Sequence, residues 1–250
     1  MNVLRKYGLS LGFLFFLLAG WEWGARLYGK PFILPSPSGV LDRLWELKSI
    51  LFISHLPATL AIVVIGLLLS LVFGVSLSVW MHKSGIARKA FFPILIASQT
   101  IPIIALAPIF VLWFGYSVWS KVAVTVLITF FPITVSTFDG LRSADSHLKE
   151  VLRVMGASKR QVFLKVELPA ALPHFYSGLK VAVTLSVIGA AIGEWLGADA
   201  GLGYFSRRMM TQFDGAGVFA PIVVLSLLGV VLFWLVGLLE KMTMKWRRIQ

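Results

Sequence analysis

Six long apolar runs, separated by short polar segments, dominate the pattern of this 250-residue chain. They cover about residues 8–27, 57–80, 90–114, 122–138, 177–197 and 218–239. A helix that crosses a bilayer needs roughly 20 mostly apolar residues, so each run predicts a membrane-spanning helix. Pro93, Pro102, Pro108 and Pro132 fall inside the third and fourth runs and predict interruptions there. Within a membrane, such breaks survive where neighbouring helices or cavity water satisfy the freed backbone groups. The third run is therefore a candidate for packing inside a bundle or lining a path. Between the first two runs, the turn-rich "LPSPSG" is followed by a short amphipathic pattern from Val40 to Lys48.

The longest polar segment, Asp139 to Tyr176, reads as two short helices. Asp145 or Ser146 can cap the first, which is expected to run to about Met155. Gly156 then supplies a turn that a residue with a Cβ resists. Ser158 with Gln161 matches a capping box opening the second helix. Val162, Phe163 and Val166 share one face of it, with Lys159 and Arg160 elsewhere. Pro169 and Pro173 are expected to stop this helix and return the chain to the membrane. A loose tether needs none of these devices. Together they predict a helical hairpin that displays a face to a partner.

Composition sharpens the picture. Charged residues make up 14% and hydrophobic residues 58%, where a soluble domain carries about 25% charged residues. The net charge of +12 does not point to nucleic acid, because the basic residues cluster at the ends of apolar runs. With the N-terminus cytoplasmic, sixteen of the 23 Lys and Arg fall in inside segments, the 139–176 loop among them. Seven fall outside, including Arg43, Lys121, Arg207 and Arg208. The bias predicts both termini inside. Arg5 and Lys6 precede the first run as they would in a secretion signal. The bulky "LAGWEWGAR" that follows offers no small-x-small cleavage site, so an uncleaved helix is expected. The basic "KWRRIQ" at the other end suits contact with anionic lipid.

Candidate chemistry is sparse. There is no Cys, and His55, His82, His147 and His174 are scattered without ligand spacing, so no metal, cofactor or thiol chemistry is expected. No nucleophile–base pair stands out, and the chain does not read as an enzyme. "GARLYGKP" (24–31) imitates a phosphate-binding loop, but Pro31 stands where Ser or Thr would hold magnesium and no strand leads into it. Any energy for active transport must then come from another chain. Glu194 is the one acid deep in an apolar run, either a path-lining residue or one bonded locally to the "GADAGLG" turn. Gln99, Thr100 and Pro102 could contribute polar contacts along a path, or serve helix packing. Trp113, Phe114, Tyr116 and Trp119 predict an interfacial aromatic belt.

The 150–169 stretch resembles the "EAA" loop of membrane subunits of bacterial ABC importers: Glu-Ala-Ala, three residues, Gly, nine residues, then Ile-x-Leu-Pro. Glu150 and Gly156 fill the first and seventh positions, and Val166, Leu168 and Pro169 fill the tail. Val151 and Leu152 replace the two alanines. "ILPSPSGVL", "IPIIALAPIFVLWFGYSVWSK", "FFPITVSTFDGL" and "GEWLGADAGLGY" are similar to permeases of the nitrate, sulfonate and taurine type, a group that includes permeases for thiamine-related pyrimidine precursors. The resemblance covers nearly the whole chain. It implies an all-α, polytopic fold of about six spans, forming one permease domain over residues 1–250. It also implies a cytoplasmic coupling hairpin between spans four and five, with Glu150, Gly156, Ala157, Ser158, Val166, Leu168 and Pro169 meeting an ATP-hydrolysing subunit. Expected partners are two such ATPase subunits, an external substrate-binding protein and a second permease copy, in a bacterial inner membrane. "GEWLGADAGLGYF" and "VFAPIVVLSLLGVVLFWLV" lean towards the pyrimidine branch; alkanesulfonate, taurine or nitrate remain alternatives. An ion-coupled secondary transporter would carry more buried acids and inverted repeats. A membrane scaffold that moves nothing is the other rival.

Overall fold

The computed structural model describes the backbone of residues 3–244 and the side chains of residues 8–244. The side chains of Arg5 and Lys6 and the "KWRRIQ" tail lie outside the described residues. The elements in chain order are α1 (Val3–Tyr28), α2 (Pro37–Ser49), α3 (Leu56–Lys83), α4 (Gly85–Ser98), α5 (Ile103–Phe114), α6 (Val118–Arg142), α7 (Ser146–Val154), α8 (Lys159–Val162), α9 (Leu168–Trp195), α10 (Leu202–Thr211) and α11 (Gly215–Thr243). Two π-helical turns, Ile50–His55 and Phe163–Glu167, join α2 to α3 and α8 to α9. Among the described residues, five helical runs are long and apolar enough to cross a membrane. The bent pair α4–α5 makes a sixth if counted as one span.

Proline placement explains where helices break and where they do not. The third apolar run is broken between Ser98 and Ile103, and its halves diverge by 104°. Pro102 stands at the N-cap of α5 with an extended ψ of 116°, and a proline also disfavours helical geometry in the residue before it. Pro93, Pro108 and Pro132 sit inside helices that continue through them, so the expected interruption of the fourth run does not occur. Pro169 and Pro173 likewise do not stop a helix: helical structure runs from Lys159 to Trp195. The reason is the π-helical turn. Leu168 donates its N–H to the Phe163 carbonyl five residues back, which widens the helix just where the Pro169 ring would otherwise clash. The same device precedes Pro57, where the Leu56 N–H reaches the Leu51 carbonyl.

By its contacts the chain divides into two compact units. The first comprises Met1–Ala58 and Asp199–Leu225. Here Ser36 caps α2, accepting from the Gly39 N–H at 3.2 Å with Pro37 at the first turn. The Glu22 carboxylate of α1 accepts from the Ser38 N–H (2.9 Å) and hydroxyl (2.7 Å). Arg43 of α2 pairs with Asp214 at 2.7 Å, and Asp214 in turn accepts from the Gly217 N–H at the start of α11.

The second unit comprises Thr59–Ala198 and Ser226–Gln250. Its centre is the α6–α9 pair. A Cβ on Gly178 would lie 2.6 Å from the Pro132 carbonyl oxygen and from Ser136 Cβ, so only glycine permits this approach. Further along α6, Gly66 of α3 meets Thr125. Nearby, the Ser70 and Thr129 hydroxyls share a 2.6 Å bond and the Ser78 hydroxyl donates to the Thr134 carbonyl at 2.7 Å. In lipid, apolar burial cannot drive helices together; close packing through small residues and buried hydroxyl bonds does.

Candidate functional site

Two regions of the second unit carry candidate chemistry. The first is the polar hairpin. The Asp145 carboxylate accepts from the His147 N–H at 2.8 Å and caps α7. Helix α7 then ends in a Schellman turn: the Gly156 N–H donates to the Arg153 carbonyl (3.0 Å) and the Ala157 N–H to the Leu152 carbonyl (2.9 Å). Gly156 takes φ +85°, the left-handed region that glycine enters without steric cost. Two residues on, the capping box is complete. The Gln161 N–H donates to the Ser158 hydroxyl (3.3 Å), and the Ser158 N–H donates to the Gln161 side-chain oxygen (2.7 Å). The hairpin is thus specified by local bonds on both sides of its turn.

Its faces differ from the sequence expectation in one respect. Val162 and Val166 are 3% and 7% exposed, so the stripe on the second arm serves the protein's own interior. Most outward apolar side chains belong to α7 and its cap, where Leu148, Val151, Val154 and Met155 are all exposed, Val154 by 89%; Leu164 and Leu168 of the second arm are exposed too. Of the other residues singled out from sequence, Glu150, Gly156, Ser158 and Leu168 are exposed, and Ala157 and Pro169 are half-buried. The end of α3 grips the arm. His82 Nε2 lies 3.0 Å from the Glu167 carboxylate, Lys149 Nζ lies 3.9 Å from it, and Lys83 Nζ sits 4.9 Å above the Phe163 ring.

The second region is the α4–α5 break. Gln99, Thr100 and Pro102 all lie in it and are exposed. The Thr100 hydroxyl donates to the Ala97 carbonyl (2.8 Å) and the Ser98 hydroxyl to the Leu95 carbonyl (2.7 Å), which occupies two of the acceptors at the end of α4. Glu194 lies apart from this exposed strip in burial: it is 1% exposed, and it is the only buried acid among the described residues. Its neighbour Gly193 packs on Lys121 of α6, where an added Cβ would come within 2.9 Å of the Lys121 Cα. Lys121 is itself buried, and its ammonium donates to the carbonyls of Tyr116 (2.5 Å) and Ser117 (3.0 Å). From sequence Lys121 reads only as an orientation charge, since a place at the start of an apolar run carries no signal that the side chain turns inwards. The phosphate-loop imitation fails structurally too, since residues 24–28 are the last turns of α1.

An all-α polytopic membrane protein with a sharply bent apolar helix pair and a locally capped polar hairpin is the class these features define. Residues 62–245 match the family described as the inner membrane component of binding-protein-dependent transport systems, and the chain belongs to that family. The formylaminopyrimidine transport permease protein ThiX of Halalkalibacterium halodurans is 58% identical over 98% of this chain and 99% of its own length. The riboflavin transport system permease protein RibX of Chloroflexus aurantiacus is 37% identical over 93% of this chain and 88% of its own. The putative aliphatic sulfonates transport permease protein SsuC of Bacillus subtilis is 31% identical over 97% and 90%. The chain is therefore a multi-pass membrane permease subunit of an ABC importer, forming the translocation path, and ATP hydrolysis belongs to a separate subunit.

Proposed function

We propose that this permease carries a formylated aminopyrimidine into the cell. The supporting observation is the 58% identity to a formylaminopyrimidine permease across almost the full length of both chains, against 37% and 31% for the riboflavin and sulfonate relatives. Two copies form the path, with an external binding protein delivering the solute and two cytoplasmic ATPase subunits supplying energy. The chain acts as one permease domain over residues 1–250.

The bent pair α4–α5 is a broken span, and both termini are cytoplasmic. A re-entrant reading would put the basic 142–167 segment outside, against the charge bias. The hairpin is then cytoplasmic. Glu150, Gly156, Ala157, Ser158, Val166, Leu168 and Pro169 shape it, and its exposed α7 side chains dock on the ATPase. Each such apolar side chain contributes about 1.5–3 kcal/mol if fully buried. ATP-driven closure pulls on the hairpin, and the continuous helix into α9 carries that motion to the membrane. This works by biasing two conformations, with no covalent step on this chain. Gln99, Thr100 and Pro102 line the path, because an exposed helix break in a membrane needs protein or cavity water over it. Glu194 is the acidic residue of the same path in this reading.

The test is uptake in vesicles holding the permease, its ATPase and its binding protein. ATP-dependent accumulation of labelled formylaminopyrimidine, and none of taurine or riboflavin, is the expected outcome. Accumulation of taurine in its place would move the chain to the sulfonate branch.

A further inference from the structure

A concave cleft of about 660 Å³ opens between the end of α3 and the second arm of the hairpin. Lys83, Arg153, Lys159 and Arg160 line it, and all four are exposed. Among the described residues none of the four has a carboxylate partner. The one acid in the lining, Glu167, is already engaged by His82 and Lys149. Like charges lining one cleft focus a potential that attracts the opposite charge. Beside His82, the remaining wall is Val162, Phe163 and Leu164. Arginine forks and lysine ammoniums around one concavity suit a compact, multi-oxygen anion.

We propose that this cleft binds a phosphate group, and that its carrier is an anionic phospholipid of the inner leaflet. Lys83 ends a span, so the cleft opens where headgroups lie, and basic pockets between spans on the cytoplasmic side take such headgroups. The apolar wall would lie along the glycerol and first methylenes. A bound headgroup would tie the α3 end to the hairpin arm and hold the coupling element against the bilayer. The leaflet assignment rests on the cytoplasmic placement of the hairpin. Binding by the solubilised chain does not, so failure of one is distinguishable from failure of the other.

The experiment is native mass spectrometry of the full-length permease with phosphatidylglycerol or phosphatidylcholine added. The wild type should retain phosphatidylglycerol at least about tenfold better than phosphatidylcholine, because only the former carries a net negative charge. Lys83→Gln with Arg153→Gln and Arg160→Gln should lose that preference. The charge-keeping set Lys83→Arg, Arg153→Lys and Arg160→Lys should retain most of it, which separates charge from misfolding. Displacement of the lipid by millimolar inorganic phosphate would keep the phosphate chemistry but assign it to a soluble source. No preference in the wild type, or full preference in the neutralised variant, would overturn the proposal. So would loss of the lipid once ATPase subunits assemble, because the cleft would then be their docking surface.

Discussion

Replacing Gly156 by Ala isolates the conformational demand of the hairpin turn. At φ +85° an added Cβ meets nothing within 4 Å, so no clash contributes and the whole penalty is backbone strain. An L-residue forced into the left-handed region costs about 1–2 kcal/mol. That corresponds to a factor of about 5–30 in the population of the native turn. The Schellman bonds of Gly156 and Ala157 would open together, since both depend on that one dihedral. Arg153, Lys159 and Arg160 flank the turn and are exposed, so trypsin reads its opening directly. In the vesicle system, Gly156→Ala should raise the cleavage rate within the hairpin and lower ATP-coupled uptake, with membrane insertion unchanged. Gly156→Asn should fall between wild type and Ala, because Asn tolerates this region better. Gly156→Asp, which adds a charge beside the docking face, should abolish uptake. If Ala matches the wild type in both cleavage and uptake, the turn does not control coupling and the reasoning fails.

Three further outcomes follow from particular contacts. Gly178→Ala drives a Cβ into the Pro132 carbonyl and Ser136, so it should cost about 1–3 kcal/mol and lower the Tm of the purified chain; an unchanged Tm would show that α6 and α9 can separate freely. Glu167→Gln weakens the link from the hairpin arm to His82 and Lys149. It should reduce ATPase stimulation by substrate several-fold while leaving the amount of inserted permease constant, and normal stimulation would show that the α3 grip transmits nothing. Glu194→Gln should lower uptake; if it alters neither uptake nor ATPase stimulation, Glu194 serves only local structure.

Much of this protein was legible from sequence, and for a common reason. The capping box of Ser158 and Gln161, the Asp145 cap and the Gly156 turn rest on bonds between residues two to five apart, so the types and spacing suffice. The spans were legible because lipid forces every backbone group into internal bonds, which makes a long apolar run a helix wherever it lies. The break at Pro102 followed from the same covalent geometry. Tertiary structure decided what depends on neighbours distant in sequence. At Pro57 and Pro169, helical structure continues because π-helical turns precede them and widen the helix there. Which apolar side chains of the hairpin face outwards depended on what the second arm packs against: Val162 and Val166 turned inwards, while Leu164, Leu168 and the α7 side chains stayed exposed. Lys121 shows the same limit most plainly. Glu194 stands deep in an apolar run, so its burial was legible, but Lys121 stands at the margin of one, and its burial depends on how closely Gly193 lets α9 approach α6, a distance that no local pattern encodes.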